Sequence, residues 1–86
     1  MAALRVSVIS PEQTLFDGEA TLVVAPAFDG ELGILPQHAP MMTLLGRGEL
    51  RVEQGAGTTQ RFSVDGGFLQ VVDDRVRVVT ERAVPA

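Results

Sequence analysis

Apolar and polar residues alternate along nearly the whole chain, with turn-forming residues about every 8–12 positions, a period near 2 that predicts short antiparallel strands. Leu4, Val6 and Val8 alternate with Arg5 and Ser7, and that strand stops at Ser10-Pro11. Residues 13–17 read as a second strand closed by the turn dipeptide Asp17-Gly18, and 19–25 as a third. In the third, Leu22, Val23 and Val24 are apolar enough to be covered on both faces. Residues 41–45 form another strand before a Gly46-Arg47-Gly48 turn, after which the pattern becomes a meander. Its strands are 49–53, 59–65, 68–72 and 75–80, separated by Gly55-Ala56-Gly57, Gly66-Gly67 and Asp73-Asp74. No stretch carries a helical period of useful length. The pattern predicts an all-β fold, two packed antiparallel sheets of short strands in one domain spanning residues 1–86, with 81–86 a frayed tail.

One segment departs from this alternation. Residues 30–40, Gly-Glu-Leu-Gly-Ile-Leu-Pro-Gln-His-Ala-Pro, hold two glycines, two prolines and the only histidine. Gly30 and Gly33 permit positive φ or close backbone approach, while Pro36 and Pro40 fix φ and drive Leu35 and Ala39 towards extended geometry. Helix is excluded, and the segment reads as a rigid turn between extended pieces that presents a surface.

Composition narrows the chemistry. The chain has 86 residues, no cysteine and 45% hydrophobic residues, so an aliphatic core must hold it without disulfides or thiolate metal sites. All seven basic residues are arginine; the absence of lysine excludes Schiff-base chemistry and lysine-borne prosthetic groups. A formal net charge of −4, with no Tyr or Trp, argues against nucleic acid as a partner. No signal peptide is read at the N-terminus, and the apolar runs are far shorter than the ~20 residues a membrane-spanning helix needs.

Candidate chemistry is sparse. His38 has no second His or Cys to complete a zinc site, and Glu31 and Asp29 lie across two constrained turns from it, so it reads as a structural or interface residue. Asp29-Gly30-Glu31 and Asp73-Asp74 lack the alternating oxygen ligands of a calcium loop and read as turn chemistry. Neither a catalytic residue nor a cofactor or metal site is assigned. Phe16, Phe62 and Phe68 fall at positions expected in the core, whereas Phe28, beside Asp29-Gly30, is a candidate exposed contact. Of the adjacent Met41 and Met42 one must point out, and with Leu44 or Leu45 it would form an apolar patch suited to a helical partner.

Taken together, Glu12-Gln13, Phe16, Gly18, residues 30–36, His38-Ala39-Pro40, Thr43, Gly48 and Gly66-Gly67-Phe68 resemble the N-terminal β-sandwich of the epsilon subunit of F-type ATP synthase, known in mitochondria as delta. The resemblance runs from about Val6 to Thr80. It implies a ten-stranded sandwich at the foot of the central stalk, a non-catalytic rotor piece that joins the gamma subunit to the ring of c subunits. By that resemblance Asp29, Gly30, Glu31 and Leu32 face the c ring, and His38, Met41, Met42, Thr43 and Ser10 face gamma. The same likeness implies indirect contact with the alpha3beta3 head and a peripheral place on the cytoplasmic side of a bacterial inner membrane, without membrane insertion. Most members of the family continue into two C-terminal helices; that pair is expected to be absent here, and with it helix-borne inhibition and ATP sensing. The reading from residues alone leaves open a free-standing adaptor that binds a protein or peptide through residues 30–43.

Overall fold

The computed structural model describes residues 3–55 and 57–86. Ten strands follow in chain order: β1 Leu4–Ile9, β2 Thr14–Ala20, β3 Leu22–Ala27, β4 Gly30–Ile34, β5 Met41–Leu44, β6 Arg47–Gly55, β7 Thr58–Asp65, β8 Phe68–Val72, β9 Arg75–Val79 and β10 Arg82–Pro85. They form two five-stranded sheets, ordered β2-β1-β9-β8-β5 and β10-β7-β6-β3-β4. Period-2 alternation sends one residue set of each strand inward. The first sheet contributes Leu4, Val6, Val8, Leu69, Val71, Val76 and Val78 to the core, and the second Val23, Ala25, Ile34, Leu50, Val52, Phe62 and Val64.

The all-β sandwich predicted from the alternation is the fold observed, and four details differ. First, the chain does not run on as a meander after β7: positive φ at Gly66 and Gly67 (75° and 103°) turns it into the other sheet, where β8 pairs with β5 and β9. β9 then lies parallel to β1, a pairing that alternation leaves undetermined because it reports a face and not a neighbour. Second, residues 82–85 are not frayed; they form β10, antiparallel to β7 with Arg82 opposite Asp65 and Val84 opposite Ser63, and Ala83 packs against the core. Third, β6 begins at Arg47, where the sequence predicts a turn. Fourth, Phe68 is only half-buried, because it opens β8 on the outward parity while Leu69 and Val71 point in. Of the β6–β7 hairpin tip, Ala56 lies outside the described residues; Gly55 and Gly57 flank it with φ of 80° and 79°.

Candidate docking surface

The 30–40 segment divides in two. Its first half is strand β4, joined to β3 by the two-residue turn Phe28-Asp29, with Ala27 opposite Gly30. Gly30 has φ of 135°, but Gly33 is extended and has open space around the place of a Cβ, so of the two glycines only Gly30 needs to be one. The second half turns at Pro36-Gln37, where Gln37 itself takes φ of 69°. The carboxylate of Asp74 accepts a hydrogen bond from the Gln37 amide at 2.6 Å, tying this loop to the β8–β9 turn. That turn is left-handed at both Asp73 and Asp74 (φ 49° and 61°), the geometry of a two-residue hairpin. His38 is half-buried and its Nδ1 lies 2.7 Å from the Ala39 carbonyl oxygen, a local contact that holds the ring and leaves no acid paired with it.

The residues expected to face a partner fall in distinct places. Asp29, Gly30 and Glu31 are exposed on the β3–β4 hairpin, while Leu32, opposite Ala25, packs against the core. Met42 is 63% exposed on the outer face of β5, whereas Met41 packs on the core and Thr43 lies opposite the buried Leu69. Ser10 follows β1, where its hydroxyl and amide both donate to the Gln13 carbonyl. Ser10 and His38 therefore stand at opposite ends of the first sheet, since Ser10 follows Ile9 and His38 adjoins the loop fastened to Asp74. Glu31 is the second residue of β4 and His38 lies four residues past the end of that strand, so the two stand on different parts of the segment.

The register of the first sheet shows what spacing in the sequence does not. Leu44 lies opposite Phe68, Phe68 opposite Val79, and Val79 beside Ile9. These four form one apolar row across the outward face of β5, β8, β9 and β1. Met42 stands beside it, two residues from Leu44, and Phe28, 67% exposed, borders it, its amide donating to the Leu44 carbonyl. An outward sheet face ordinarily carries the polar half of the alternation. Two rows further along, the same face is charged: Arg75 sits beside Arg5, Arg77 beside Ser7, and Arg5 pairs with Asp17 at 3.0 Å. Open recesses mark the surface, one of them lined by Gln70, Val72, Asp73, Arg75 and Arg77, and among the described residues no group of three or more His, Asp or Glu is placed to hold a metal. No helix among these residues is long and apolar enough to cross a membrane.

Comparison with known proteins identifies a family. Residues 3–86 match the sequence profile described as ATP synthase, Delta/Epsilon chain, beta-sandwich domain. The ATP synthase epsilon chain of Rhodopirellula baltica is 49% identical over 83 residues, covering 96% of this chain and 64% of that one. The ATP synthase epsilon chain of Caulobacter vibrioides is 43% identical over 86 residues, covering all of this chain and 99% of its own length. Against other epsilon chains, as against the Rhodopirellula one, the chain spans only about three-fifths of the relative's length. Among solved structures, a chain in the cryo-EM structure of Euglena gracilis mitochondrial ATP synthase, OSCP/F1/c-ring, superposes with a TM-score of 0.91 at 25% identity. The match covers 99% of this chain and 54% of that one.

Proposed function

Because this chain belongs to the beta-sandwich family of ATP synthase delta and epsilon chains, we propose that it serves as the non-catalytic sandwich of the rotor, seated between the gamma subunit and the c ring. The observation that carries this reading is the outward apolar row Leu44, Phe68, Val79 and Ile9, with exposed Met42 and Phe28 beside it. Solvent gains nothing from such a row, and a partner that covers it recovers about 25 cal/mol for each Å² of apolar surface removed from water. Gamma is assigned to this face, with Met42 on its edge strand β5 and Ser10 and His38 at its two ends. The c ring is assigned to the β3–β4 hairpin, where Asp29, Gly30 and Glu31 project at the corner nearest Leu44.

The mechanism is mechanical. Torque passing from a rotating ring to gamma needs an intermediate that does not yield, and a two-sheet sandwich with a close-packed aliphatic core has low compressibility. Its β3–β4 hairpin and its 35–40 loop are both pinned, the first by the Phe28–Leu44 backbone bond and the second by Asp74, so docking orders little chain. Proton translocation is thereby coupled to ATP synthesis without a catalytic residue in this chain. A peripheral position on the cytoplasmic face of a bacterial inner membrane follows from the role.

Binding to purified gamma tests it. The double substitution Met42→Asp and Leu44→Asp should leave the melting temperature within about 2–4 °C, since both side chains are exposed, while lowering gamma affinity at least tenfold. Unchanged affinity, or no gamma binding by the natural chain at any salt concentration, would sink the proposal in favour of a free-standing adaptor.

A further inference from the structure

Four of the seven arginines have no carboxylate within ion-pair distance among the described residues; the three pairs are Arg5–Asp17, Arg47–Asp65 and Arg61–Glu49. Two of the unpaired four, Arg75 and Arg77, share the outward face with the apolar row, on the same strand as Val79. Arg77 lies between Gln70 and Ser7, and Arg75 between Val72 and Arg5. Neither position meets an acid across the sheet. Arg75 beside Arg5 places like charges on neighbouring strands, an arrangement that costs the isolated domain and returns nothing within it. Asp73 borders the same shallow recess as Arg75, Arg77 and Gln70 but makes no ion pair with either arginine.

Resting on the assignment of this face to gamma, we propose that the gamma segment seated there carries a pair of Asp or Glu side chains that engage Arg75 and Arg77. Guanidinium suits this because its planar fork binds carboxylate bidentately and is desolvated at less cost than an ammonium. The spacing is set by the strand: Val79 to Arg75 is four residues, or about 13 Å at ~3.3 Å per residue. If the gamma segment is a helix lying along β9, its acids stand about four and about nine residues from its apolar anchor, opposite Arg77 and Arg75, at a rise of ~1.5 Å. The apolar row thus supplies contact area and the arginine pair sets direction and register, since a reversed segment would leave acids on the row and the arginines unmatched.

The double variant Arg75→Ala/Arg77→Ala, titrated with purified gamma at low and at high salt, tests this. The expected result is about a tenfold weaker complex at low salt and a flatter salt dependence, with a melting temperature unchanged or slightly raised, because neither side chain has an ion-pair partner to lose and Arg75 stands beside Arg5. Equal affinity and equal salt slope in the double variant, while Met42→Asp/Leu44→Asp abolishes binding, would overturn the inference and leave the docking face standing. If the Met42/Leu44 variant also binds normally, the docking face itself is wrong. Binding of the natural chain to vesicles rich in phosphatidylglycerol, lost in the arginine variant while gamma affinity is kept, would equally overturn it by giving the arginines to lipid.

Discussion

Gly67 and Gly33 look alike in the sequence and differ completely in what they hold. A Cβ at Gly67 would collide with the carbonyl oxygen of Val79 and lie 2.6 Å from the Thr80 Cα, and its φ is 103°. Gly67→Ala should therefore cost at least about 1–3 kcal/mol, read as a lowered denaturant midpoint. Gly33→Val, by contrast, adds a β-branched residue to an extended strand with open space, and should change stability by less than about 0.5 kcal/mol in the same titration. The sequence alone allows positive φ at Gly33 as at Gly30, because a Gly-rich string does not reveal which glycine has the left-handed backbone. At Thr80, 1% exposed, the hydroxyl can donate to the Gly66 carbonyl at 2.9 Å and accepts from the Arg82 amide. Thr80→Val keeps the shape but strands those groups, so a loss of about 1–3 kcal/mol is expected, with Thr80→Ser recovering most of it. Asp74→Asn keeps the turn-forming side chain but weakens the charge-assisted bond to the Gln37 amide. Faster hydrogen exchange at Gln37, with little change at core amides, would show that this bond holds the 35–40 loop.

At the scale of elements, strands are legible where alternation is strong and their pairing is not. β1, β7 and β9 fall close to where period-2 patterning puts them, because one face of each is buried against the other sheet. β10 is missed for a physical reason: Arg-Ala-Val-Pro is four residues long, ends in proline and turns only Ala83 towards the core, too short an alternation to register as a strand by itself. Its stability comes from β7, to which it adds backbone bonds and a cover for one edge, with the Ala86 amide donating to the Arg61 carbonyl. Ending the chain after Glu81 should lower the melting temperature by several degrees and speed exchange of β7 amides over residues 61–65. Unchanged β7 protection would show that β10 contributes nothing. Phe68 belongs here too: one position later on β8, at the place of Leu69, it would be core, and its half-exposed place is what extends the apolar row past β5.

Across the whole molecule, the two sheets divide the work. The inner faces supply cohesion through Val, Leu, Ile and Phe62, and the outer face of the first sheet supplies an apolar row at one end and two unpaired arginines at the other. The three ion pairs are about half-exposed or more, each worth roughly 0.2–1 kcal/mol, so raising salt should barely move the melting temperature even as it weakens a charge-steered complex. By itself the sequence determined the all-β class, the strand faces, the absence of lysine and thiol chemistry and, through residues 30–40 and Gly66-Gly67-Phe68, the family. Those properties are local: side-chain identity, period and backbone constraint are written residue by residue. Only the tertiary structure decided that β9 lies beside β1, that β10 completes the second sheet, and that Leu44, Phe68, Val79 and Ile9 form one row with Arg75 and Arg77 along the strand. Register between strands far apart in the chain is fixed by packing two whole sheets together, and no window of sequence contains it.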